Sequence, residues 1–459
     1  MRAWWSTIGT SSRLAGGVGE LRALVALAVP LALTQLGQIA INTTDLVMMG
    51  WLGTEALAAG GLAMSLWILP ALFGIGLASA TAPLVAQALA ARQARQVRRS
   101  VRQGLWVVAA FTVPTALALA HVGPLLERLG QAPATAAGAE AYLAAAAAGL
   151  PFAAGLVVLR VFVASFGHTR AILVVTACAI VGNAGSNYLL MFGHFGLPRL
   201  ELVGAGLSSS FVNALSFAAL AVIAGKRSPY RRFRLFGRFW RPDWTTFATI
   251  VRLGLPIGLT LLFEVGMFAA AAVLVGTVGS VPLAAHNVAM QICSIVFMVP
   301  LGLSQAATIR IALAAGVRDG RRVRQVGALA VALTVLIMTV AAVIFWTSAA
   351  TLIVPFIEDP AAQADVAAWA VRFLAVAAIF QLADGLQIVV GGLLRGLKDT
   401  AVPMLFAFAG YWLVGFASAA AGLFLFGLGP LAVWVGLALG LATTATLCLH
   451  RLYRLTRRL

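Results

Sequence analysis

Twelve stretches of mostly apolar residues punctuate this chain, each about as long as the roughly 20 residues an α-helix needs to cross a bilayer core. They begin near Leu21, Leu57, Gly104, Ala139, Ala171, Leu202, Phe247, Leu283, Gln325, Asp365, Ala401 and Gly429. Backbone polar groups inside lipid find partners only within a helix or a closed barrel, so windows of this length become helices. Composition agrees, since 61% of residues are hydrophobic and 10% charged, against about 45–50% and 25% in soluble domains. The expected fold is an all-α polytopic membrane protein. The first window follows a basic start, but it runs too long for a signal peptide and lacks a small-residue cleavage site, so it is read as retained.

The formal net charge of +18 raises the question of nucleic-acid binding, and the placement of the charges answers it. With the N-terminus inside, 28 of the 32 basic residues fall in the connections on one side; Arg128, Arg199 and Arg372 fall on the other, and Arg160 lies within a span. Such a bias marks the cytoplasmic face, with both termini on it, and nucleic acid is not an expected partner. The central connection mixes its arginines with Phe233, Phe236, Phe239, Trp240 and Trp244, the chemistry of a segment lying on an anionic membrane surface. Cys178, Cys293 and Cys448 fall in spans with no paired spacing, which implies neither a disulfide framework nor a zinc site.

The chain repeats itself at an offset of 226 residues. Pro30 meets Pro256, Gly50 and Gly53 meet Gly276 and Gly279, Gly76 meets Gly302, and Arg92, Arg95 and Arg98 meet Arg318, Arg321 and Arg324. Two copies of six spans, each starting inside, make parallel pseudo-symmetric six-helix bundles. The expected organisation is a lobe over residues 1–225, a cytoplasmic linker over 226–246 and a second lobe over 247–459. Repeat-built transporters of this kind bind their cargo between the halves.

Three carboxylates, Asp45, Glu264 and Asp384, stand inside these apolar stretches; the other 11 of the 14 acids fall in loops or at helix ends. An ionisable group at the bilayer centre costs at least about 2.5–3.5 kcal/mol, so it marks a functional site by default. The repeat separates them, because Glu264 corresponds to Gln38 and Asp45 to Ala271. Helical spacing collects polar residues into stripes: Gln35, Gln38, Asn42 and Asp45; Asn183 and Asn187; Thr260 and Glu264; Asn287, Gln291 and Ser294; Gln381, Asp384 and Gln387. The amides either line a cavity or hydrogen-bond between spans. For the acids, Arg160 is the single intramembrane base in reach of a lasting pair, and one base cannot neutralise three. At least two acids are therefore expected to take a proton, a metal cation or a cationic ligand. Arg160 itself and His286 read as packing residues. Tyr188, Tyr411, Trp412 and Trp434 can stack on flat cations or anchor at the interface. No phosphate loop, paired metal-binding histidines or nucleotide domain accompanies them, so no enzyme and no cofactor are expected.

"TTDLVMMGWLGTEALAAGGLA" from Thr43, "ASFGHTR" from Ala164, "FQLADGLQ" from Phe380 and "LRGLKDT" from Leu394 resemble the NorM-type branch of the multidrug and toxic compound extrusion family, over essentially the whole chain. The resemblance implies twelve helices in two six-helix lobes that open as a V to alternate faces. It implies export of small hydrophobic cationic compounds in exchange for inward Na+ or H+ by a monomer in the bacterial inner membrane. Glu264 and Asp384 fall on the family's cation-site acids, where Na+ could bind. Asp45, with Asn183 and Asn187, falls on the acidic site of the first lobe. Gln35, Gln38, Asn42, Asn287, Gln291, Phe380, Gln381 and Gln387 are candidates for lining the cavity. Phe380 stands where relatives carry a tyrosine, which removes a hydroxyl from the cation site and gives weight to proton coupling. Two alternatives are a flippase for lipid-linked saccharides, whose anionic cargo needs intramembrane bases, and a membrane scaffold that transports nothing.

Overall fold

A computed structural model describes residues 17–357 and 364–458. Among them, eleven helices are long and apolar enough to cross a membrane, and a bent pair, Pro133–Ala147 with Leu150–Ser165, makes a twelfth span if its 41° break is counted within one crossing. In order the spans are Gly17–Gly50, Thr54–Ala90, Ala94–Leu119, the bent pair, Thr169–Phe192, Glu201–Lys226, Trp244–Gly276, Ser280–Gly316, Gly320–Phe356, Ala364–Gly396, Ala401–Leu425 and Leu431–Arg457. Every window expected from sequence becomes one of these spans. They are numbered first to twelfth below.

The repeat is visible in the backbone. Gly53 and Gly279, each just before the helix of the second and eighth spans, have φ of 118° and 154°, a region that only glycine enters readily. Arg92 and Arg318 end those same spans at φ of 59° and 58°. Residues 226 apart thus bend the chain in the same way.

Two compact units form: Thr34–Leu262 is one, and the residues up to Leu33 together with Phe263–Leu459 are the other. The first and seventh spans therefore each begin in one unit and end in the other. Close helix approaches within each unit account for this. Gly76 meets Gly258, where a methyl group would come within 2.4 Å of the neighbouring Cα, and its repeat mate Gly302 meets Ala32 just as tightly. Small residues let membrane helices pack on backbone instead of on side chains. The start of the first span is also held by charge. Glu20, 2% exposed, receives Arg310 from the eighth span at 2.7 Å and Arg322 from the ninth at 3.1 Å. Sequence reading places Arg310 in a loop, but the eighth helix runs on to Gly316 and carries it inward.

The central connection packs against the first of these units more firmly than a surface-lying segment. Tyr230 and Phe233 are buried and meet Phe162 and Phe166 at ring distances of 5.2–5.9 Å. Phe236, Trp240 and Trp244 stay exposed and Phe239 is half-buried, so of the five aromatics expected to lie on the membrane surface Phe233 is withdrawn into the helices. Burial, eased by the Arg227 charge, pushes the Tyr230 phenol up to about 12. Its hydroxyl lies 3.0 Å from His168 Nδ1, and burial, with help from Arg227, holds that imidazole below its usual range.

Candidate functional site

In the unit formed by residues 34–262, Asp45 ends the polar stripe of the first span and is 3% exposed. Asn183 and Asn187 donate to its Oδ1 at 3.0 and 2.6 Å. The two asparagines sit one helical turn apart on the fifth span, so both amides reach one oxygen. Ser209 of the sixth span donates to Oδ2 at 3.2 Å. Sequence reasoning missed this serine, because it stands in a run of three serines with no spacing to single it out. Three neutral donors from two helices replace the water that this carboxylate gives up. Gln38 and Asn42, on the same stripe, are exposed, and Gln35 is partly so.

The other unit brings Glu264 and Asp384 together. Their exposures are 6% and 3%, and one amide nitrogen serves both: Gln387 Nε2 lies 3.1 Å from Glu264 Oε1 and 3.4 Å from Asp384 Oδ1. Asp384 and Gln387 are three residues apart on the tenth span, which puts them on one face; Glu264 arrives from the seventh. The amide is oriented by Tyr411, whose hydroxyl donates to Gln387 Oε1 at 2.8 Å. Tyr411 is fully buried in a stretch of wide π-helical turns, Ala409–Phe416. That stretch lies against the twelfth span, where Gly415 would bring a methyl group within 3.2 Å of Gly440 Cα. Wide turns of this kind are frequent at functional sites. Sequence reading takes Tyr411 for a stacking or anchoring residue; the fold makes it a hydrogen-bond donor to the acid cluster instead.

Arg395 is a second correction. It reads as a loop residue, yet it occupies the last turn of the tenth helix, bonds back to the Gly391 carbonyl at 3.2 Å and lies close enough for its charge to act on Glu264. Arg160, the base expected from sequence, forms no ion pair among the described residues.

The remaining candidates divide. Phe380 and Gln381 are buried: the Phe380 ring meets Trp434 edge-on at 6.0 Å, and Gln381 reaches the Cys293 carbonyl at 3.4 Å. The hydroxyl that meets the acid cluster through Gln387 comes from Tyr411 on the eleventh span. Asn287 and Gln291 are exposed along the eighth span. His286 is buried edge-on to Trp434 at 5.4 Å, in keeping with a packing role. Trp434 is itself buried and stacked on Phe373, while Tyr188 is exposed and stacked on His194 at 4.1 Å. Among the described residues no three His, Cys, Asp or Glu side chains gather as a metal site. The acid pair supplies carboxylate oxygens, hard donors of the kind that suit small, poorly polarisable cations, while Gln387 turns its amide nitrogen toward them and its oxygen toward Tyr411.

The family model described as MatE matches residues 30–189 and again 256–421. Its two matches begin at Pro30 and Pro256, the same offset as the internal repeat. Among curated proteins, a probable multidrug resistance protein NorM of Mesorhizobium japonicum is 44% identical over 95% of this chain and 94% of its own length. One from Rhizobium meliloti is 43% identical over 96% and 94%, and one from Pseudomonas aeruginosa 39% over 93% and 88%. Solved structures share the fold. A eukaryotic MATE transporter, 19% identical, superposes with a TM-score of 0.85 over 97% of this chain and 99% of that one. An outward-facing multidrug resistance MATE family transporter of the MOP superfamily, 18% identical, superposes at 0.84 over 97% and 98%.

Proposed function

The chain belongs to the MatE family, and on that premise we propose that it is a secondary antiporter exporting small hydrophobic organic cations against an inward flow of H+ or Na+. The relatives are named as multidrug resistance proteins and transporters, which agrees with the expectation that no enzymatic step is involved. The observation that carries the proposal is the shared amide of Gln387 between Glu264 and Asp384. Two buried carboxylates with one donor between them repel each other, and taking both out of water uncompensated costs several kcal/mol per charge. Arg395 offsets one charge at most. A proton or Na+ relieves the remainder, and so does a cationic drug. A site that holds one of these but not two couples their fluxes by competition, and rocking between two access states makes the exchange directional.

The bacterial inner membrane, with the arginine-rich connections in the cytoplasm, is the placement that the charge bias supports. The test is ethidium efflux from proteoliposomes under an imposed Na+ gradient and then a proton gradient, with the unmodified chain, Glu264→Gln and Asp384→Asn. Efflux driven by one gradient in the unmodified chain, lost in both variants, is the expected result. Undiminished efflux in both variants overturns the assignment of the pair, and no efflux under either gradient overturns the antiport.

A further inference from the structure

Beneath the central connection lies a slot of about 320 Å³ whose lining is almost wholly apolar: Leu105 and Ala109 from the third span, Phe152 and Gly155 from the fourth, Phe217 from the sixth, and Phe236 and Phe239 from the connection itself. All of it belongs to the unit formed by residues 34–262. Phe152, Ala109 and Phe236 are exposed, so the slot opens on the outer surface of the helices. Gly155 keeps it clear: a methyl group there would come within 2.9 Å of the Phe217 ring.

The third span joins this slot to a dense positive cluster. Arg98, Arg102, Leu105 and Ala109 follow one another by four, three and four residues, a single helical face about 16 Å long. The charges of Arg98, Arg99 and Arg241 all reach Arg102. One acid, Asp243, faces them, and it is engaged twice already, in an ion pair with Arg99 at 3.4 Å and as acceptor from the Thr246 amide at 3.1 Å. Arg102 is 6% exposed. Its terminal nitrogen donates to the Arg238 carbonyl at 2.9 Å, but its Nε and that of Arg98 are buried without a hydrogen-bond partner. Buried guanidinium N–H groups left unpaired are costly, and an anion removes that cost.

We propose that this face is a binding site for an anionic phospholipid of the surrounding leaflet, with one acyl chain in the Phe217–Phe239 slot and the phosphate against the arginines around Arg102. The two chemistries lie at the two ends of one helix face, in the order that a lipid presents them. Charge selects the headgroup and the apolar slot selects the chain. The occupant also ties the central connection to the third span, since Phe236 and Phe239 form the slot wall.

The experiment is native mass spectrometry of the delipidated full chain titrated with phosphatidylglycerol or phosphatidylcholine of identical chains. One phosphatidylglycerol is expected to be held at least about tenfold more tightly than the neutral lipid. Arg241→Gln, at an exposed residue, should weaken it about fivefold, the effect of one basic residue beside an anionic headgroup. Ala109→Trp fills the slot and should weaken both lipids. Equal retention of the two lipids by the unmodified chain overturns the proposal. So does unchanged phosphatidylglycerol binding in Arg241→Gln, which decides the matter even where the bulkier tryptophan variant does not fold.

Discussion

Asp45 receives three hydrogen bonds from neutral side chains, whereas Glu264 and Asp384 divide one amide between them. Both sites are buried to the same degree, so burial alone does not distinguish them. Their partners do. Amide and hydroxyl donors replace the water that a single carboxylate loses, while two carboxylates that divide one amide repel each other whenever both are charged. Glu20 marks the third possibility, an equally buried acid met by two guanidinium groups. The comparison separates an acid paired with guanidinium groups, one held by neutral donors within a polar pocket, and two that divide a single amide.

The largest expected effect breaks the comparison if it fails. Glu264→Gln or Asp384→Asn should cut gradient-driven ethidium efflux by well over tenfold, a loss above about 1.4 kcal/mol, while Asp45→Asn should leave the response to the ion gradient in place. Equal loss of ion response in all three, measured in the same proteoliposomes, would erase the distinction. Glu20→Gln comes next, and its effect is on stability. Removing one partner strands Arg310 and Arg322, at a cost of about 3 kcal/mol, read as a lowered melting temperature in detergent. A melting temperature unchanged from the unmodified chain would remove Glu20 from the structural class.

Asp45→Asn should raise the KM for ethidium severalfold, in line with about 1 kcal/mol for a rearranged hydrogen bond; an unaltered KM would count against a substrate-facing role. Tyr411→Phe sharpens the other side. Losing the hydroxyl frees the Gln387 amide, so the Na+ concentration or pH of half-maximal efflux should move by less than about tenfold, with the maximal rate retained. The smallest effect lies outside both clusters. Burial and the Arg227 charge disfavour protonated His168 in the folded protein, so the unfolded chain takes up that proton more readily. Its contribution to stability is therefore complete above the ordinary histidine value of about 6.5 and shrinks as pH falls through the lower folded value. A small drop in melting temperature between pH 7.5 and 5.5, absent in His168→Gln, separates this titration from any proton response of the carboxylates.

The polar stripes show how far sequence alone reaches into the site. Spacing by three and four residues correctly puts Asp384 and Gln387 on one helix face and makes Asn183 and Asn187 neighbours, because the helical period is a local property. It says nothing about which face of another helix arrives opposite. Ser209, Tyr411 and Arg395 therefore escape it, each for its own reason. Ser209 belongs to a run of like residues, Tyr411 depends on π-helical turns that shift its direction, and Arg395 depends on where the tenth helix stops. Glu20 is concealed in the same way, since an acid in a first helical turn looks like a solvated helix end until Arg310 and Arg322 are seen around it.

Twelve apolar spans, a repeat at an offset of 226 residues, the bias of arginines to one set of connections, and three acids in places where lipid would punish them are all legible along the chain. Each of these is carried by hydropathy, charge or spacing along the chain. Folding in three dimensions settles that the first and seventh spans begin in one unit and end in the other, that two acids share a glutamine while the third has its own pocket, and that Phe236 and Phe239 of the connection wall an apolar slot. Those outcomes depend on how closely helices approach, which glycines such as Gly76 and Gly302 permit where the opposing residue is also small, Gly258 and Ala32 here. Contact between distant helices is a property of pairs of surfaces, and no single stretch of sequence contains it.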